Sequence, residues 1–136
     1  MDESLWIIGL RLAGVMHFGT VALAWFTPIP PGWEENLAKL PRLHRRFALA
    51  QNASIGAVIV VFGLFSLCFA ESLIGGAPLG RAVCGATALF WGGRVLVLPW
   101  IGVVAVLRTP LLRAGFALLC AECVIYATAY GWLALR

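Results

Sequence analysis

Four long apolar runs dominate the chain and predict four membrane-spanning helices. They cover residues 5–26, 47–70, 80–107 and 110–135. Each run reaches the length of about 20 residues that a helix needs to cross the hydrocarbon of a bilayer. Pro28, Pro30 and Pro31 are expected to end the first run, because proline cannot continue a helical hydrogen-bond ladder. The predicted fold is an all-α integral membrane protein, with one domain over residues 1–136 built as an antiparallel four-helix bundle.

The residues in and near the connections between the runs predict a short additional helix, a helix start and a kink. Residues 32–46 alternate charged side chains with leucines, a spacing that predicts a short interfacial helix in the first loop. Thr109 and Pro110 suit the start of the fourth helix, since threonine caps a free N–H and proline lacks one. A kink is expected at Pro99, near the end of the third run.

Basic residues are distributed unevenly between the two sides of the predicted bundle. The side with the termini has Arg81 and Arg136, with Arg11 just inside the first span. The loops after the first and third runs hold Lys39, Arg42, Arg45, Arg46, Arg108 and Arg113. The positive-inside rule then predicts a multi-pass protein of the inner (cytoplasmic) membrane with both termini outside. The start Met-Asp-Glu lacks the basic region of a signal peptide, so we expect the first span to be retained.

Composition narrows the class of protein further. Of the 136 residues, 62% are hydrophobic and 12% charged, and the mean hydropathy is +0.94. These values exclude a disordered chain and a disulfide-stapled secreted domain. The basic residues are scattered rather than arranged in a stripe, so nucleic acid is not an expected partner. The net charge of +4 follows from the two basic loops, which we expect to contact membrane lipid.

Three ionisable residues, His17, Arg94 and Glu122, fall deep inside the predicted spans, where insertion scales assign a charged residue a cost of about 2.5 to 3.5 kcal/mol. Arg94 and Glu122 come out at equal depth on antiparallel neighbours, which predicts an ion pair that offsets the desolvation of both. His17 and Asn52 lie within about two turns of that depth, and Gln51 is adjacent. We therefore expect one interior polar cluster of His17, Gln51, Asn52, Arg94 and Glu122.

Each member of this cluster has a structural and a functional interpretation. The ion pair either fixes the register of the bundle or serves as a ligand or proton site. His17 is either a hydrogen-bonded interior histidine or a porphyrin ligand; His44 lies too near the cytoplasmic interface to complete a bis-histidine haem site. Gln51 and Asn52 either bond across helices or contact a substrate. The structural interpretation is preferred in each case, and no metal or cofactor is predicted.

Aromatic residues supply two further expectations. Tyr126 and Tyr130 follow Glu122 at a spacing of four, so the three residues share one stripe of the fourth helix. The tyrosines form either a polar ladder or, as we prefer, anchors at the membrane interface. Trp91 is the one tryptophan expected deep in the bundle, because the others lie near the predicted interfaces.

The four cysteines give little support to redox chemistry. Cys120 and Cys123 have the spacing of a redox pair, but both are expected deep in the bundle, where cysteine usually serves as a small apolar residue. Cys68 and Cys84 fall near the outer face on neighbouring helices, so a structural disulfide between them stays open.

Two local features resemble the membrane-associated eicosanoid and glutathione metabolism (MAPEG) family of small four-span proteins. They are the segment from Arg46 to Asn52 at the start of the second span, and Gly93-Arg94-Val95 followed by Leu107-Arg108-Thr109-Pro110. The family's span-two signature shares the asparagine and has an arginine and a glutamate where this chain has Gln51 and Ile55. The layout is also similar, with outside termini, a long basic first loop and a tight second cytoplasmic turn. The resemblance implies a four-span fold and, as a function, glutathione-dependent chemistry in the membrane.

These observations favour a non-enzymatic function. We expect a packing or accessory subunit of a homo-oligomer or of a larger membrane complex, with lipid and lateral membrane proteins as partners. The alternative is a membrane enzyme, or a protein that handles a small ligand or protons, in which Arg94, Glu122 and His17 form the site.

The predicted orientation can be tested by labelling intact cells. In a background without the native cysteines, Ser4→Cys should react with a membrane-impermeant maleimide from outside, because the amino terminus is expected there. Arg108→Cys, in a loop on the opposite side, should react only after lysis. Labelling of Ser4→Cys only after lysis would reverse the orientation.

Overall fold

The computed structural model describes residues 2–26 and 32–136, and every regular element in this part of the chain is helical. In chain order the elements are α1 (Glu3–Phe26), α2 (Trp33–Ala38), α3 (Arg42–Cys68), α4 (Ala70–Ile74), α5 (Pro78–Ile101), a 3₁₀ turn (Val103–Val106) and α6 (Pro110–Leu135). Helices α1, α3, α5 and α6 are each long and apolar enough to cross a membrane. The predicted all-helical architecture with four candidate spans is confirmed.

The first hairpin, α1 and α3, differs from the predicted spans mainly at the start of α3. This helix begins at Arg42 rather than at residue 47, so basic residues expected in the loop lie in its first turns. α1 ends at Phe26, as expected, while Pro28, Pro30 and Pro31, the predicted helix breakers, lie outside the described residues. α2 lies within the segment expected to be helical, and its position at a membrane interface stays a prediction.

The second hairpin, α5 and α6, has a shorter first helix than predicted. α5 stops before residue 107 because Gly102 takes a left-handed conformation, with φ 70°, that ends the helix. Pro99 contributes by removing a backbone donor from the last turns. Thr109 caps α6 by accepting a hydrogen bond from the backbone N–H of Leu112 at 3.2 Å, and Pro110 occupies the first helical position. Both predictions about the start of α6 are confirmed.

Small residues determine how closely the helices of each hairpin approach. α1 crosses α3 at Gly14 and Gly63, where a Cβ built on Gly14 would lie 2.9 Å from the Gly63 carbonyl oxygen. α5 and α6 meet along an antiparallel seam of glycine facing alanine, formed by Gly85 with Ala134, Gly131 with Ala88, and Gly92 with Ala127. Such residues allow the close backbone approach that is typical of helices packed in membranes.

The two hairpins contact each other through side chains rather than backbones. α1 faces α6, where Thr20 bonds Glu122, and α3 faces α5, where the rings of Phe62 and Phe90 meet edge to face at 5.5 Å. The short helix α4 links the hairpins and buries Ala70, Leu73 and Ile74.

The core lies in one half of the bundle. We call the end that holds α4 and both chain termini the terminal end, and the end that holds α2 and the 3₁₀ turn the basic end. The buried residues of α3 and α6 lie in the terminal half, and they are Ile59, Gly63, Ser66, Cys123, Tyr126, Tyr130 and Leu133. By contrast, residues 42–58 of α3 are almost all exposed. The helices therefore separate toward the basic end.

The crossing of α1 and α3 should not tolerate a methyl group. Gly14→Ala should lower the free energy of unfolding by about 1–3 kcal/mol, because overpacking displaces the neighbouring helix. The added Cβ would lie 2.6 Å from Leu67 Cγ and 2.9 Å from a backbone oxygen. Gly131→Ala is the matched control, since its Cβ meets Ala88 Cβ at an ordinary 3.8 Å and alanine favours a helix. Unfolding in detergent measures both variants, and equal losses would contradict this crossing.

Candidate functional site

His17 lies at the centre of the molecule with no exposed surface, and both of its ring nitrogens have a partner. Trp91 Nε1 on α5 donates a hydrogen bond to His17 Nε2 at 3.1 Å, so Nε2 carries no proton. Nδ1 lies 2.6 Å from the carbonyl oxygen of Ala13, one turn earlier on α1, so Nδ1 is the donor there. His17 is therefore a neutral imidazole in the Nδ1–H tautomer.

Aromatic rings surround His17. The Tyr126 ring stacks on the imidazole with 4.4 Å between centroids, and Trp91 and Tyr130 meet it edge to face at 5.4 and 6.2 Å. These three aromatic residues are at most 2% exposed. We call His17, Ser66, Trp91, Tyr126 and Tyr130 the His17 cluster, and it contains at least one residue from each of the four long helices.

A second pair of hydrogen bonds within the His17 cluster connects α6 to α3. Ser66 Oγ donates to the carbonyl oxygen of Phe62 at 2.8 Å. Serine has one proton to give, so the Tyr130 hydroxyl is the donor in its contact with Ser66 Oγ. Tyr126 and Tyr130 are thus interior residues, because their stripe of α6 faces the other hairpin. The preferred interpretation of these tyrosines as interface anchors is wrong.

Arg94 and Glu122 do not form the predicted ion pair, because the two side chains point in different directions. Side chains lean toward the amino terminus of their helix, so Arg94 extends toward the terminal end. Its Cζ lies over the rings of Phe90 and Trp91, at 5.7 and 5.8 Å. Glu122 is turned toward α1, where its Oε2 lies 2.9 Å from Thr20 Oγ1. Equal depth therefore did not bring the guanidinium and the carboxylate together.

Gln51 and Asn52 lie outside the His17 cluster, on exposed surface of α3. Asn52 shares a helix face with the buried Ile59, seven residues later. The same stripe of α3 is thus covered in the terminal half and uncovered toward the basic end, where the helices separate. The prediction of one interior cluster is wrong for these two residues, because the bundle is not closed at their depth.

Two buried side-chain polar atoms in the described part of the chain have no hydrogen-bond partner, Arg94 Nε and Tyr126 Oη. A buried donor or acceptor without a partner lowers the stability of the fold by about 1–3 kcal/mol. Each of these two atoms is therefore an unsatisfied hydrogen-bonding group within the protein. Arg94 and Tyr126 lie on neighbouring helices, and both contact the Trp91 ring.

The basic residues near the terminal end bind groups at that same end of the bundle. Arg81 donates to a carbonyl in the last turn of α6 at 2.9 Å, and Arg136 to the last carbonyl of α4 at 3.4 Å, positions where a cation is favourable. Arg11 and Glu71 form the one ion pair within residues 2–26 and 32–136, at 3.4 Å between exposed side chains. An exposed pair of this kind contributes about 0–1 kcal/mol.

The cysteines form no bridge. All four thiols are free; Cys68 is exposed and Cys120 partly exposed, while Cys84 and Cys123 are buried. Across the described ranges, no three histidine, cysteine or acidic side chains come together in a way that could hold a metal ion.

The predicted cluster did not include Thr20 and Ser66, although helical spacing indicates that both face the interior of the bundle. Thr20 follows His17 by three positions and Ser66 follows Ile59 by seven, so each lies on the interior stripe of its helix. Trp91 has no exposed surface, so its expected place in the interior of the bundle is confirmed. Its bond to His17 had no local signal, because the two residues belong to different hairpins.

Comparison with known protein families, with curated proteins and with solved structures finds no match to this chain. The resemblance to the MAPEG family therefore stays a prediction. Fold and site together define a class of protein: an all-helical protein with four helices long and apolar enough to cross a membrane. Its two hairpins are joined by the buried His17 cluster.

The tautomer of His17 predicts which substitutions the cluster tolerates. His17→Gln retains an oxygen that can accept from Trp91, whereas His17→Leu, of similar size, leaves the indole N–H without a partner. The leucine variant should therefore be less stable than the glutamine variant by about 1–3 kcal/mol. In a Trp91→Phe background, which lacks the donor, this difference should disappear. Unfolding in detergent measures all four proteins, and equal stability of the two variants beside Trp91 would contradict the assigned bond.

Proposed function

We propose that the chain is a multi-pass protein of the inner membrane that functions by lateral packing. It serves as a subunit of a homo-oligomer or as an accessory subunit of a larger membrane complex. In this proposal both termini lie outside, the basic end lies in the cytoplasm, and α2 lies at the cytoplasmic interface. The orientation is supported by the excess of basic residues in and beside the connections at the basic end.

The observation that carries this proposal is a stripe of small residues on the outer surface of α3. Ala50, Ala53, Ser54 and Ala57, which we call the α3 seam, follow the helical spacing i, i+3, i+4, i+7, and all four are exposed. Helix surfaces that meet other helices in a bilayer are enriched in such residues, because small side chains let two backbones approach closely. Within the protein, small residues have the same role where α1 crosses α3 and along α5 and α6.

The α3 seam is also suited to a dry contact. Ser54 Oγ donates to the carbonyl oxygen of Ala50 at 2.8 Å, so the one polar side chain of the seam is satisfied within α3. In each candidate span, at most 17% of the most apolar segment is buried within the protein. Most of each helix surface is therefore available to lipid or to partner helices.

The His17 cluster favours a structural role over a catalytic one. Both nitrogens of His17 are hydrogen-bonded and the ring has no exposed surface, so neither nitrogen is free to ligate a porphyrin or to relay a proton. A site that used His17 for chemistry would first have to break its bond to Trp91.

A bulky substitution in the α3 seam tests the proposed function. Ala53→Leu should weaken the wild-type assembly about tenfold or more, because the added methyl groups force the two backbones apart. Native mass spectrometry of protein released from lipid nanodiscs counts the chains in each particle, for wild type and variant at equal concentration.

Ala22→Leu on α1 is the matched control. It makes the same change at an exposed position beside the large apolar residues Val15, Trp25 and Phe26, so it should leave the assembly unchanged. The proposed function is contradicted by a wild-type particle with one chain and no stoichiometric partner, and equally by identical effects of the two variants.

A further inference from the structure

The hydroxyl of Thr20, which joins α1 to α6, has two polar neighbours at the same distance. Thr20 Oγ1 lies 2.9 Å from the carbonyl oxygen of Met16, one turn earlier on α1, and 2.9 Å from Glu122 Oε2. A threonine hydroxyl has one proton to give, and its oxygen can also accept. A backbone carbonyl oxygen can only accept, so Thr20 is the donor in its contact with Met16. The contact with Glu122 then needs a proton from Glu122.

An ionised Glu122 would leave this arrangement one proton short. The carboxylate would take the proton of Thr20, and Thr20 Oγ1 would face the Met16 carbonyl oxygen at 2.9 Å with no proton between the two acceptors. Such a separation is normal only when an O–H group donates across it. When Glu122 is a neutral carboxylic acid, Oε2 donates to Thr20 and Thr20 donates to Met16, so each contact has its own proton.

The surroundings of Glu122 also favour its neutral form. Glu122 is half-buried in one of the four candidate spans, and the ion pair of Arg11 with Glu71 is the one that the described residues form. A carboxylate removed from water without a paired cation is costly, and a carboxyl group in that position avoids the cost by keeping its proton. A neutral Glu122 has no net charge to attract Arg94, which is consistent with the absence of an ion pair between these two side chains at equal depth.

Other titratable and charged groups near the Thr20–Glu122 contact come from three helices. His17 lies one turn before Thr20 on α1 and is neutral, with both ring nitrogens bonded. Arg94 on α5, and Cys123 and Tyr126 on α6, lie within electrostatic range of Glu122 or of its neighbour Cys123. The titratable side chains of α3 lie in its first turns and at its last residue, and they are Arg42, His44, Arg45, Arg46 and Cys68.

We propose that Glu122 is a proton-binding site within the membrane, where its carboxyl group holds a proton at neutral pH and donates it in a hydrogen bond to Thr20. The bound proton removes the charge of the carboxylate and completes the link between α1 and α6. Release of the proton to water leaves a carboxylate, which Thr20 can serve only by turning its hydroxyl away from Met16. This link between the hairpins therefore depends on pH. The inference rests on the proposed membrane location but not on lateral packing.

Infrared difference spectroscopy tests the protonation state directly, on the purified protein at neutral pH in a detergent without ester groups. The carbonyl stretch of a protonated carboxylic acid is separate from the bands of an ionised carboxylate and shifts in D₂O. The wild type should show this acid band, and Glu122→Gln should remove it. Glu35→Gln is the matched control, because it makes the same change at an exposed position on α2. It should remove carboxylate bands only.

Substitutions of Thr20 test the partner of the acid. Thr20→Val keeps the shape of the side chain but removes the acceptor, so the acid band of Glu122 should move to higher frequency as its O–H group loses the hydrogen bond. Thr20→Ser keeps the hydroxyl and should leave the band where it is. An unchanged band in Thr20→Val would contradict the assigned bond.

Thermal unfolding gives an independent measurement of the bound proton. The folded protein holds a proton that Glu122 releases when unfolding exposes it to water, so raising the pH from neutral to alkaline favours unfolding of the wild type. Glu122→Gln holds no such proton, and its amide can still donate to Thr20. The Tm of the wild type should therefore fall relative to that of Glu122→Gln as the pH rises. All other titratable groups are the same in both proteins, so the difference isolates Glu122.

Two further results would overturn this inference. Loss of carboxylate bands alone in Glu122→Gln would mean that Glu122 is ionised and accepts a proton from Thr20. A difference in Tm that stays constant with pH would mean that Glu122 binds no proton in the folded protein. The number of chains per particle, measured on the same samples, reports separately on lateral packing.

Discussion

The hydrogen bond from Trp91 Nε1 to His17 Nε2 is the interaction on which the arrangement of the two hairpins depends. It joins α1 to α5, and the contact between Tyr130 and Ser66 joins α6 to α3, so each helix of one hairpin is bonded to a helix of the other. A formed bond contributes only about 1 kcal/mol, whereas a buried donor left without an acceptor costs about 1–3 kcal/mol. The His17 cluster therefore acts mainly by excluding other arrangements, because sliding or rotating one hairpin leaves at least one of these groups unpaired.

The contrast between the two halves of the bundle follows from where polar side chains find partners. In the terminal half, aromatic rings and close glycine contacts fill the interior around His17. Toward the basic end the interior stripes carry Thr20, Asn52, Arg94 and Glu122, and of these only Thr20 and Glu122 meet. Polar groups without partners favour separation rather than burial, so the helices stay apart there. Lateral packing is proposed for the half that the chain alone does not close.

Features with a local cause could be predicted from the sequence, whereas features that depend on helix rotation could not. The start of α6 is set by Thr109 and Pro110, which act on their own turn, and the four apolar runs are sufficient to predict four long helices. The helical rise gives the depth of Arg94 and Glu122 but not the direction of either side chain. In the same way, the helical spacing predicts that Glu122, Tyr126 and Tyr130 share one stripe of α6. It does not predict whether that stripe faces lipid or protein. That choice depends on contacts between hairpins, such as the bond of Trp91 to His17.

The most direct test of this arrangement is ¹⁵N NMR of the histidine ring nitrogens in lipid bilayers, because protonated and unprotonated nitrogens resonate far apart. His44, exposed near the basic end, is the only other histidine, and its substitution by asparagine assigns the spectrum. We expect His17 to show a protonated Nδ1 and an unprotonated Nε2, with the Nε2 resonance shifting in Trp91→Phe. A proton on His17 Nε2, on either a neutral or a doubly protonated ring, would contradict the bond that joins the hairpins.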